Sequence, residues 1–272
     1  MLSSIPVLIA LPLFALIPAA AAVGVHSLIR RAVPPESLIE QHDVAGYLIA
    51  VVGVLYSVVL GFLVGTVWTQ FTLAQQTADA EAGSVADAFN FAGDVQRPQR
   101  EELQRLIARY AVEVRDVEWF VARNGREDPV AVSLLRQAVQ VTLAMPPPRP
   151  RDGEGAVLQS AGMRAWLLAS LRQIGDARRL RLVQSESHLP SGMLEALVLG
   201  GGMVISFTFF FGVKNFRRQM TMTALLAGSM GLFFGLVLEL STPYSGAIHI
   251  SRDAWTYVIE NNRLVDFTGD RR

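Results

Sequence analysis

The chain has 272 residues, carries 24 basic and 24 acidic side chains, and is 51% apolar. The apolar content and a positive mean hydropathy indicate a membrane protein. The balanced charge leaves no basic face for nucleic acid, and the absence of cysteine excludes disulfides, thiol catalysis and zinc–thiolate sites.

Apolar residues are concentrated in four segments, which are residues 5–29, 44–69, 191–213 and 220–240. Each is close to the roughly 20 residues that a helix needs to cross a bilayer. We therefore predict an all-α integral membrane protein with four transmembrane helices and a helical extramembrane domain formed by extensions of the membrane helices. The predicted divisions are residues 1–69 and 191–240 for two pairs of membrane helices, 70–190 for the extramembrane domain, and 241–272 for a C-terminal segment.

The first segment differs from a signal peptide, because no positive charge precedes its apolar core, whereas Arg30 and Arg31 follow it. We interpret it as a retained membrane helix. Pro6, Pro12 and Pro18 each remove a backbone N–H from this helix, so neighbouring helices must cover the carbonyls that lose a partner.

The second segment predicts one long helix. Trp68 marks the expected membrane interface, but apolar residues continue beyond it at spacings of three and four as far as Phe89. The helix should therefore leave the membrane, extend past residue 90 and end between Gly93 and Pro98.

A small residue occupies every fourth position of the second segment, at Gly53, Ser57, Gly61 and Gly65. Such a stripe lets two helix backbones approach closely in lipid. It predicts packing against another helix of the same subunit or, alternatively, a contact between subunits or the wall of a narrow pore. The fourth segment repeats the pattern at Gly228, Gly231 and Gly235. We therefore expect a tight bundle that forms a homo-oligomer.

Three further helices are predicted within residues 70–190. The first of them has an apolar seam typical of a bundle or coiled coil, and it ends at Asn124–Gly125. The residues of the seam are Leu103, Ile107, Tyr110, Val114, Val117 and Val121. Asp128 followed by Pro129 predicts the N-cap and first turn of the next helix, which runs to about residue 145. A Pro- and Gly-rich loop over residues 146–155 precedes a last helix from about 156 to 187.

Three arginines lie close to the third membrane segment, at Arg178, Arg179 and Arg181. They could attract anions into a vestibule. The interpretation that we favour is structural, because the stretches next to the second and third segments should be neighbours. On that interpretation the arginines pair with acids of the long helix, namely Asp79, Glu81 and Asp87.

Two acidic residues, Glu195 and Glu239, are expected near the same membrane surface. An acid inside the hydrocarbon region of the membrane could bind an ion. We favour the alternative interpretation, in which both carboxylates are solvated at the membrane interface. In the C-terminal segment we predict a turn at Pro243 and Gly246, a short extended piece, and a final amphipathic helix capped by Ser251. Its aromatic residues, Trp255 and Tyr257, are placed at the membrane surface.

Three stretches together resemble the bestrophin-like domain family of bacterial membrane proteins, whose function is unassigned: "VGVLYSVVLGFLVGTVW", "RRLRLVQSESHLP" and "LSTPYSGAI". The resemblance covers nearly the whole chain and depends on the order and spacing of the motifs. Members of the family often carry an Asp-Arg pair before a Pro-Phe-Ser-Gly turn, where this chain has Ser241 and Thr242 before Pro243. The resemblance implies kinship with bestrophins, which are pentameric anion channels, although none of the bestrophin filter motifs is present.

No enzyme signature is found in the sequence: it has no P-loop, no nucleophile elbow and no His-Glu-x-x-His. We predict neither catalysis nor a cofactor nor a metal. Two functions stay open, an oligomeric ion channel, which the resemblance suggests conducts anions, and a non-conducting scaffold or sensor whose helical domain binds a protein partner. Both place the chain in the lipid of the bacterial plasma (inner) membrane. The positive-inside rule places the helical domain outside the cytoplasm, whereas the kinship would place it inside.

Overall fold

The computed structural model describes residues 7–33, 42–122, 126–145, 153–186, 189–211, 213 and 215–269. Over these ranges every regular element is helical and no strand occurs, as the sequence predicts. The α-helices within them are α1 (Val7–Ala32), α2 (His42–Gly93), α3 (Gln99–Glu113), α4 (Trp119–Val121), α5 (Pro129–Leu143), α6 (Gly153–Glu186), α7 (Ser191–Phe207), α8 (Phe216–Leu240) and α9 (Asp253–Asn261). A π-helical turn, Val114–Glu118, joins α3 to α4, and 3-10 turns follow α7 at Thr208–Phe210 and α9 at Leu264–Phe267.

The described residues form two compact units. The first, here called the membrane unit, contains the residues up to Phe71 and those from 189 to His249. The second, here called the helical unit, contains the residues from Thr72 to 186 and those from Ile250 onward. Helix α2 contributes to both units.

Four of the described helices are long and apolar enough to cross a membrane. Their spans are Leu8–Ala32, Asp43–Gly93, Ser191–Phe210 and Phe216–Leu240. The predicted long second helix is confirmed, because α2 has 52 residues and ends at Gly93. At 1.5 Å per residue it is about 78 Å long, which exceeds the roughly 30 Å hydrocarbon core of a bilayer.

The first membrane helix is helical across Pro12 and Pro18. Pro18 has no N–H, so it cannot bond the carbonyl of Phe14 one turn earlier. Helix α8 covers this carbonyl at Gly231, where even a Cβ atom would overlap the Phe14 oxygen. Close approach of α8 thus shields a backbone oxygen that would otherwise face lipid without a partner. Pro6 lies outside the described residues.

A second contact in the membrane unit joins α2 to α7. The ring of Tyr56 lies over Gly200 and Gly201, and its hydroxyl donates to the carbonyl oxygen of Leu197 at 3.2 Å. Further along α2 the unit has an apolar core, which consists of Leu63, Val67, Leu197, Val237 and Leu240. The inward face of α2 therefore carries an aromatic and large aliphatic side chains.

The helical unit buries the seam predicted on α2 and the first part of the seam predicted on α3. On α2 these residues are Ala74, Ala78, Ala82, Val85 and Phe89, and on α3 they are Leu103, Ile107 and Tyr110. The predicted cap of α5 is also confirmed, since the Asp128 carboxylate accepts the N–H groups of Val130 and Ala131 at 3.3 and 2.9 Å. The predicted ends at Asn124–Gly125 and most of the loop from 146 lie outside the described residues.

The C-terminal helix differs from its prediction. Trp255 is fully buried and its ring packs against Tyr110, with the ring centroids 6.4 Å apart, so its placement at the membrane surface is wrong. The hydrophobic face of α9 packs inside the helical unit, where Tyr110 of α3 is its aromatic partner. Tyr257 is exposed, and the Oγ of Ser251 accepts the N–H of Asp253 at 3.3 Å.

Candidate functional site

The small-residue stripe of α2, here called the glycine face, consists of Gly53, Ser57, Gly61 and Gly65. No atom of the described chain comes within 4 Å of a Cβ built at Gly53, Gly61 or Gly65. A groove lies beside the second half of this face, at Gly61 and Gly65, and is lined by Val58, Gly61, Phe62, Gly65, Thr66 and Thr69. Packing against another helix of the same subunit is therefore not found among the described residues, because α7 and α8 contact α2 on the face of Tyr56, Leu63 and Val67.

The three glycines of α8 lie against α1 instead. A Cβ at Gly228 would lie 3.3 Å from the carbonyl oxygen of Ala15, and one at Gly235 would lie 2.6 Å from Cβ of Phe14. At Gly231 it would lie 2.6 Å from Cγ of Pro18. These residues thus serve packing within the membrane unit, in contrast to the glycine face.

The two acidic candidates have different environments. Glu195 is exposed, as expected for an acid solvated at the interface. Glu239 is only 5% exposed, so the same interpretation is wrong for it. The turn after α8 folds back over Glu239, whose carboxylate accepts the N–H of Ala247 and, at 3.3 Å, that of Ile248. These hydrogen bonds replace water around the buried carboxylate.

A network of buried side chains, made of two carboxylates, two guanidinium groups and one neutral phenol, lies in the core of the helical unit. It consists of Glu81, Tyr110, Glu118, Arg178 and Arg181, and we call it the ion network. Arg181 is at its centre: its Nε donates to Glu81 Oε2 at 2.6 Å, and its Nη2 donates to Glu118 Oε2 at 2.7 Å. The hydroxyl of Tyr110 donates to Glu81 Oε1 at 2.8 Å.

The remaining arginine of the network, Arg178, binds the other side of Glu118. Its Nε donates to Glu118 Oε1 at 3.0 Å, and its Nη2 also donates to that oxygen. Arg179 points outward and pairs with Asp176, one turn earlier on α6. The predicted pairing with acids of α2 therefore holds for Arg181 and Glu81. It is wrong for Arg179, which points to a different face of α6, and for Arg178, which shares the face of Arg181 but meets Glu118 instead of an acid of α2.

The π-helical turn explains how Glu118 enters the core. A π-helical turn contains one residue more than an α-helical one, so positions after Val114 shift by one residue relative to the predicted seam. Val117, predicted to lie in the seam, is 40% exposed, whereas Glu118 is completely buried. Sequence analysis missed Glu118 for this reason, and the only available signal was an excess of arginine on α6 in need of acidic partners.

Electrostatics favours the ionised forms of Glu118 and Arg181 and the neutral form of Tyr110. Burial opposes the charge of Glu118, but hydrogen bonds from Arg178 and the charge of Arg181 outweigh it and hold the pKa of Glu118 below its usual value. The pKa of Arg181 is raised, because Glu81 and Glu118 outweigh the effect of burial. Burial, and then the charge of Glu81, raises the pKa of Tyr110 well above its usual value, so this phenol remains a donor.

Chemically, the ion network is suited to holding helices together. It links α2 through Glu81, the α3 region through Tyr110 and Glu118, and α6 through its two arginines. A further bond runs from the N–H of Asp128 to Glu118 at 3.3 Å, which joins the start of α5 to the same carboxylate. In the part of the chain that the structure describes, no three histidine or acidic side chains are arranged to hold a metal ion.

The family comparison is decisive, because the model of the bestrophin-like domain matches residues 16–255, which is most of the chain. The chain belongs to the bestrophin-like domain family. The predicted membership is thus confirmed. No curated protein matches this bestrophin-like sequence.

Solved structures share the fold of this bestrophin-like chain. A mutant of a bacterial bestrophin homologue from Klebsiella pneumoniae has a TM-score of 0.66 at 12% identity, covering 95% of this chain and 99% of its own. A second structure of a bacterial bestrophin homologue from Klebsiella pneumoniae has a TM-score of 0.63 at 12% identity, covering 93% and 99%. A chain described as a membrane protein has a TM-score of 0.67 at 11% identity, covering 93% and 98%. At these identities the likeness establishes the fold.

The bestrophin-like motif after α8 also departs from the family pattern in its chemistry. Ser241 and Thr242 stand where an Asp-Arg pair is common, and their hydroxyl groups donate to the carbonyl oxygens of Leu238 and Glu239. The acid of this turn is supplied by Glu239 from within α8. In this bestrophin-like protein the turn is therefore held by a carboxylate and backbone N–H groups.

Proposed function

We propose that the protein is an oligomeric ion channel of the bacterial plasma membrane. Its membership of the bestrophin-like family and its four membrane helices support a membrane protein of channel type. The observation that carries the proposal is the glycine face, which is exposed on a helix otherwise packed through its opposite side. Anions are proposed as the permeant ions because of the kinship with bestrophins.

An exposed stripe of small residues can bring two helices close together in a membrane. Lipid tails are as apolar as leucine, so helices associate through close packing rather than through the hydrophobic effect. The glycine face lets the backbone of α2 approach a helix of a second copy of the chain. Its groove also exposes the side chains of Thr66 and Thr69, whose hydroxyls bond carbonyls of their own helix at 2.9 Å. Such a face suits a contact between subunits or the wall of a narrow pore.

The proposal predicts that Gly61→Leu changes either the size of the complex or its conductance. Leucine would fill the groove, so a subunit contact would be lost or a pore narrowed. The measurements are the mass of the purified oligomer in detergent and chloride efflux from liposomes. The matched control is Val59→Phe, which adds the same number of carbon atoms at an exposed position of α2 outside the groove.

Wild-type liposomes should release chloride, and Val59→Phe should behave as wild type in both measurements. If wild-type protein passes neither chloride nor common cations, the channel proposal fails. If Gly61→Leu leaves both mass and flux unchanged, the glycine face contacts lipid and our account of it is wrong.

The scaffold alternative is favoured by one specific observation, the apolar surface of the helical unit. Trp166 on α6 is 64% exposed, and Leu143 at the end of α5 is 52% exposed. Such side chains suit a protein partner. A monomeric or dimeric protein without ion flux would favour this alternative, whereas a ring of subunits would favour the channel.

The orientation of the channel is proposed from the positive-inside rule. The short connections after α1 and before α8, together with the helix ends that flank them, carry an excess of basic residues, namely Arg30, Arg31, Lys214, Arg217 and Arg218. The rule places these connections in the cytoplasm and the helical unit outside it. Alkaline phosphatase fused after Gly153 should therefore be active, and a cytoplasmic reporter at the same position inactive. The reverse result would place the helical unit inside.

A further inference from the structure

A polar cluster lies between α1, α8 and the connection that precedes α8. His26 is at its centre and is only 1% exposed, although it belongs to the membrane-spanning segment Leu8–Ala32. Ionisable residues within membrane helices are rare and are functional candidates by default. His26 plays no part in the proposed channel function or in the ion network of the helical unit.

One assignment of the hydroxyl and ring protons satisfies the hydrogen bonds around His26 together. The hydroxyl of Thr208 donates to the carbonyl of Ile205 at 2.6 Å, so it can accept from the hydroxyl of Thr223, which lies 3.4 Å away. Thr223 therefore has a lone pair to accept from Nδ1 of His26, at 2.9 Å. Neutral His26 then carries its proton on Nδ1, and Nε2 is the ring atom that can take up a second proton.

Two contacts attach the connection before α8 to this part of α1. The ring of Phe209 packs against the His26 imidazole with centroids 4.9 Å apart. One turn further along α1, Nη2 of Arg30 donates to the carbonyl of Val213 at 2.6 Å, and its Nη1 donates to Gln219 at 2.8 Å. The connection is thus held by His26 at one point and by Arg30 at another.

The charged group that acts on His26 is Arg30, on the same helix. The partners facing it from α8 and from the connection are neutral, namely Thr223, Thr208 and Phe209. Protonation of His26 would therefore add a second positive charge, next to that of Arg30, to a buried site. None of these contacts supplies an acid that would neutralise it. His26 lies six residues before the end of its span, about 9 Å along the helix, so a proton from the adjacent water has a short path.

We propose that His26 is a proton-binding site that controls the attachment of the α7–α8 connection to α1. Protonation at Nε2 places the new charge beside Arg30. Release of Phe209 and Val213 from α1 relieves the repulsion, because it opens the buried site to water and frees the Arg30 side chain to turn away from His26. Attraction between an imidazolium and the Phe209 ring offsets only part of this repulsion. The site responds to the pH of the compartment that contains the short connections, and it does so whether or not the protein conducts.

The test is hydrogen–deuterium exchange of residues 208–216 in the full-length protein in nanodiscs, at pH 7.5 and pH 5.0. After correction for the intrinsic exchange rate, wild-type protein should open about tenfold more at the lower pH. His26→Asn keeps a donor for Thr223 but cannot be protonated, so its exchange should not depend on pH. His249→Asn changes an exposed histidine and should behave as wild type.

Wild-type exchange that is equal at the two pH values would overturn the proposal, and so would an undiminished acid response in His26→Asn. Should His26→Asn not accumulate as folded protein, nitrogen NMR of wild-type imidazoles decides the same question. Protonation of His26 at Nε2, coinciding with the rise in exchange, supports the proposal. An imidazole that stays neutral while exchange rises contradicts it.

Discussion

Replacing Arg181 by alanine is expected to destabilise the helical unit by about 3–5 kcal/mol, because it removes one partner from a buried ion pair. Glu81 and Glu118 are both completely buried, and each would lose a guanidinium bonded at 2.6 or 2.7 Å. An uncompensated carboxylate in a protein core carries most of that cost. The measurement is the free energy of unfolding of the purified protein in detergent.

The matched control for this prediction is Arg179→Ala on the same helix. The side chain of Arg179 is 72% exposed and pairs only with an exposed aspartate, so its loss should cost less than about 0.5 kcal/mol. Equal effects of the two substitutions would show that the ion network does not support the fold. A triple variant that combines Tyr110→Phe, Glu81→Leu and Arg181→Met extends the test. These substitutions remove one branch of the network and leave Glu118 paired with Arg178. Together they should therefore reduce the free energy of unfolding by less than Arg181→Ala alone.

Replacing Gly231 by alanine is expected to separate α1 from α8 and to destabilise the membrane unit by about 3 kcal/mol, at the upper end of the usual cost of overpacking. The added methyl group would overlap the carbonyl oxygen of Phe14, which is backbone and cannot rotate away. Displacing α8 would also uncover the carbonyl that Pro18 leaves without a partner.

A graded series makes this prediction specific. Gly228→Ala meets the Ala15 oxygen at 3.3 Å and should cost about 1 kcal/mol, whereas Gly202→Ala has nothing of the described chain within 4 Å and should be neutral or slightly stabilising. Unfolding of each variant in mixed micelles provides the measurement. Gly231→Ala with the stability of Gly202→Ala would contradict the packing that we describe.

The charged side chains of the helical unit show how far sequence analysis reaches. Arg181 and Glu81 could be paired in advance, because membrane-proximal parts of α2 and α6 were expected to be neighbours. Glu118 could not be found in the same way, because hydrophobic spacing assumes a regular α-helix, and the π-helical turn at Val114–Glu118 changes the register. The prediction for Trp255 is wrong for a different reason, since an amphipathic helix can pack its apolar face on lipid or on protein.

The glycines give a second example. The stripes on α2 and α8 both repeat small residues about once per helical turn, at steps of four on α2 and of three and four on α8, yet α8 packs its glycines on α1 while α2 exposes its own. Spacing identifies a helix face on which close approach is possible, and it does not identify the partner. The partner depends on which faces of the other helices are already occupied, as the packing of Tyr56 on α7 illustrates.

The sequence by itself determined the features that arise from local chemistry. The four apolar spans, the long helix through Gly93 and the cap at Asp128 follow from hydropathy, periodicity and side-chain hydrogen bonding within a few residues of the chain. The tertiary structure alone decided which charges meet, which glycines are covered and where Glu239 finds its donors. These outcomes depend on contacts between residues far apart in the chain, and the free energy of such contacts comes from the burial and pairing of groups that only the folded molecule brings together.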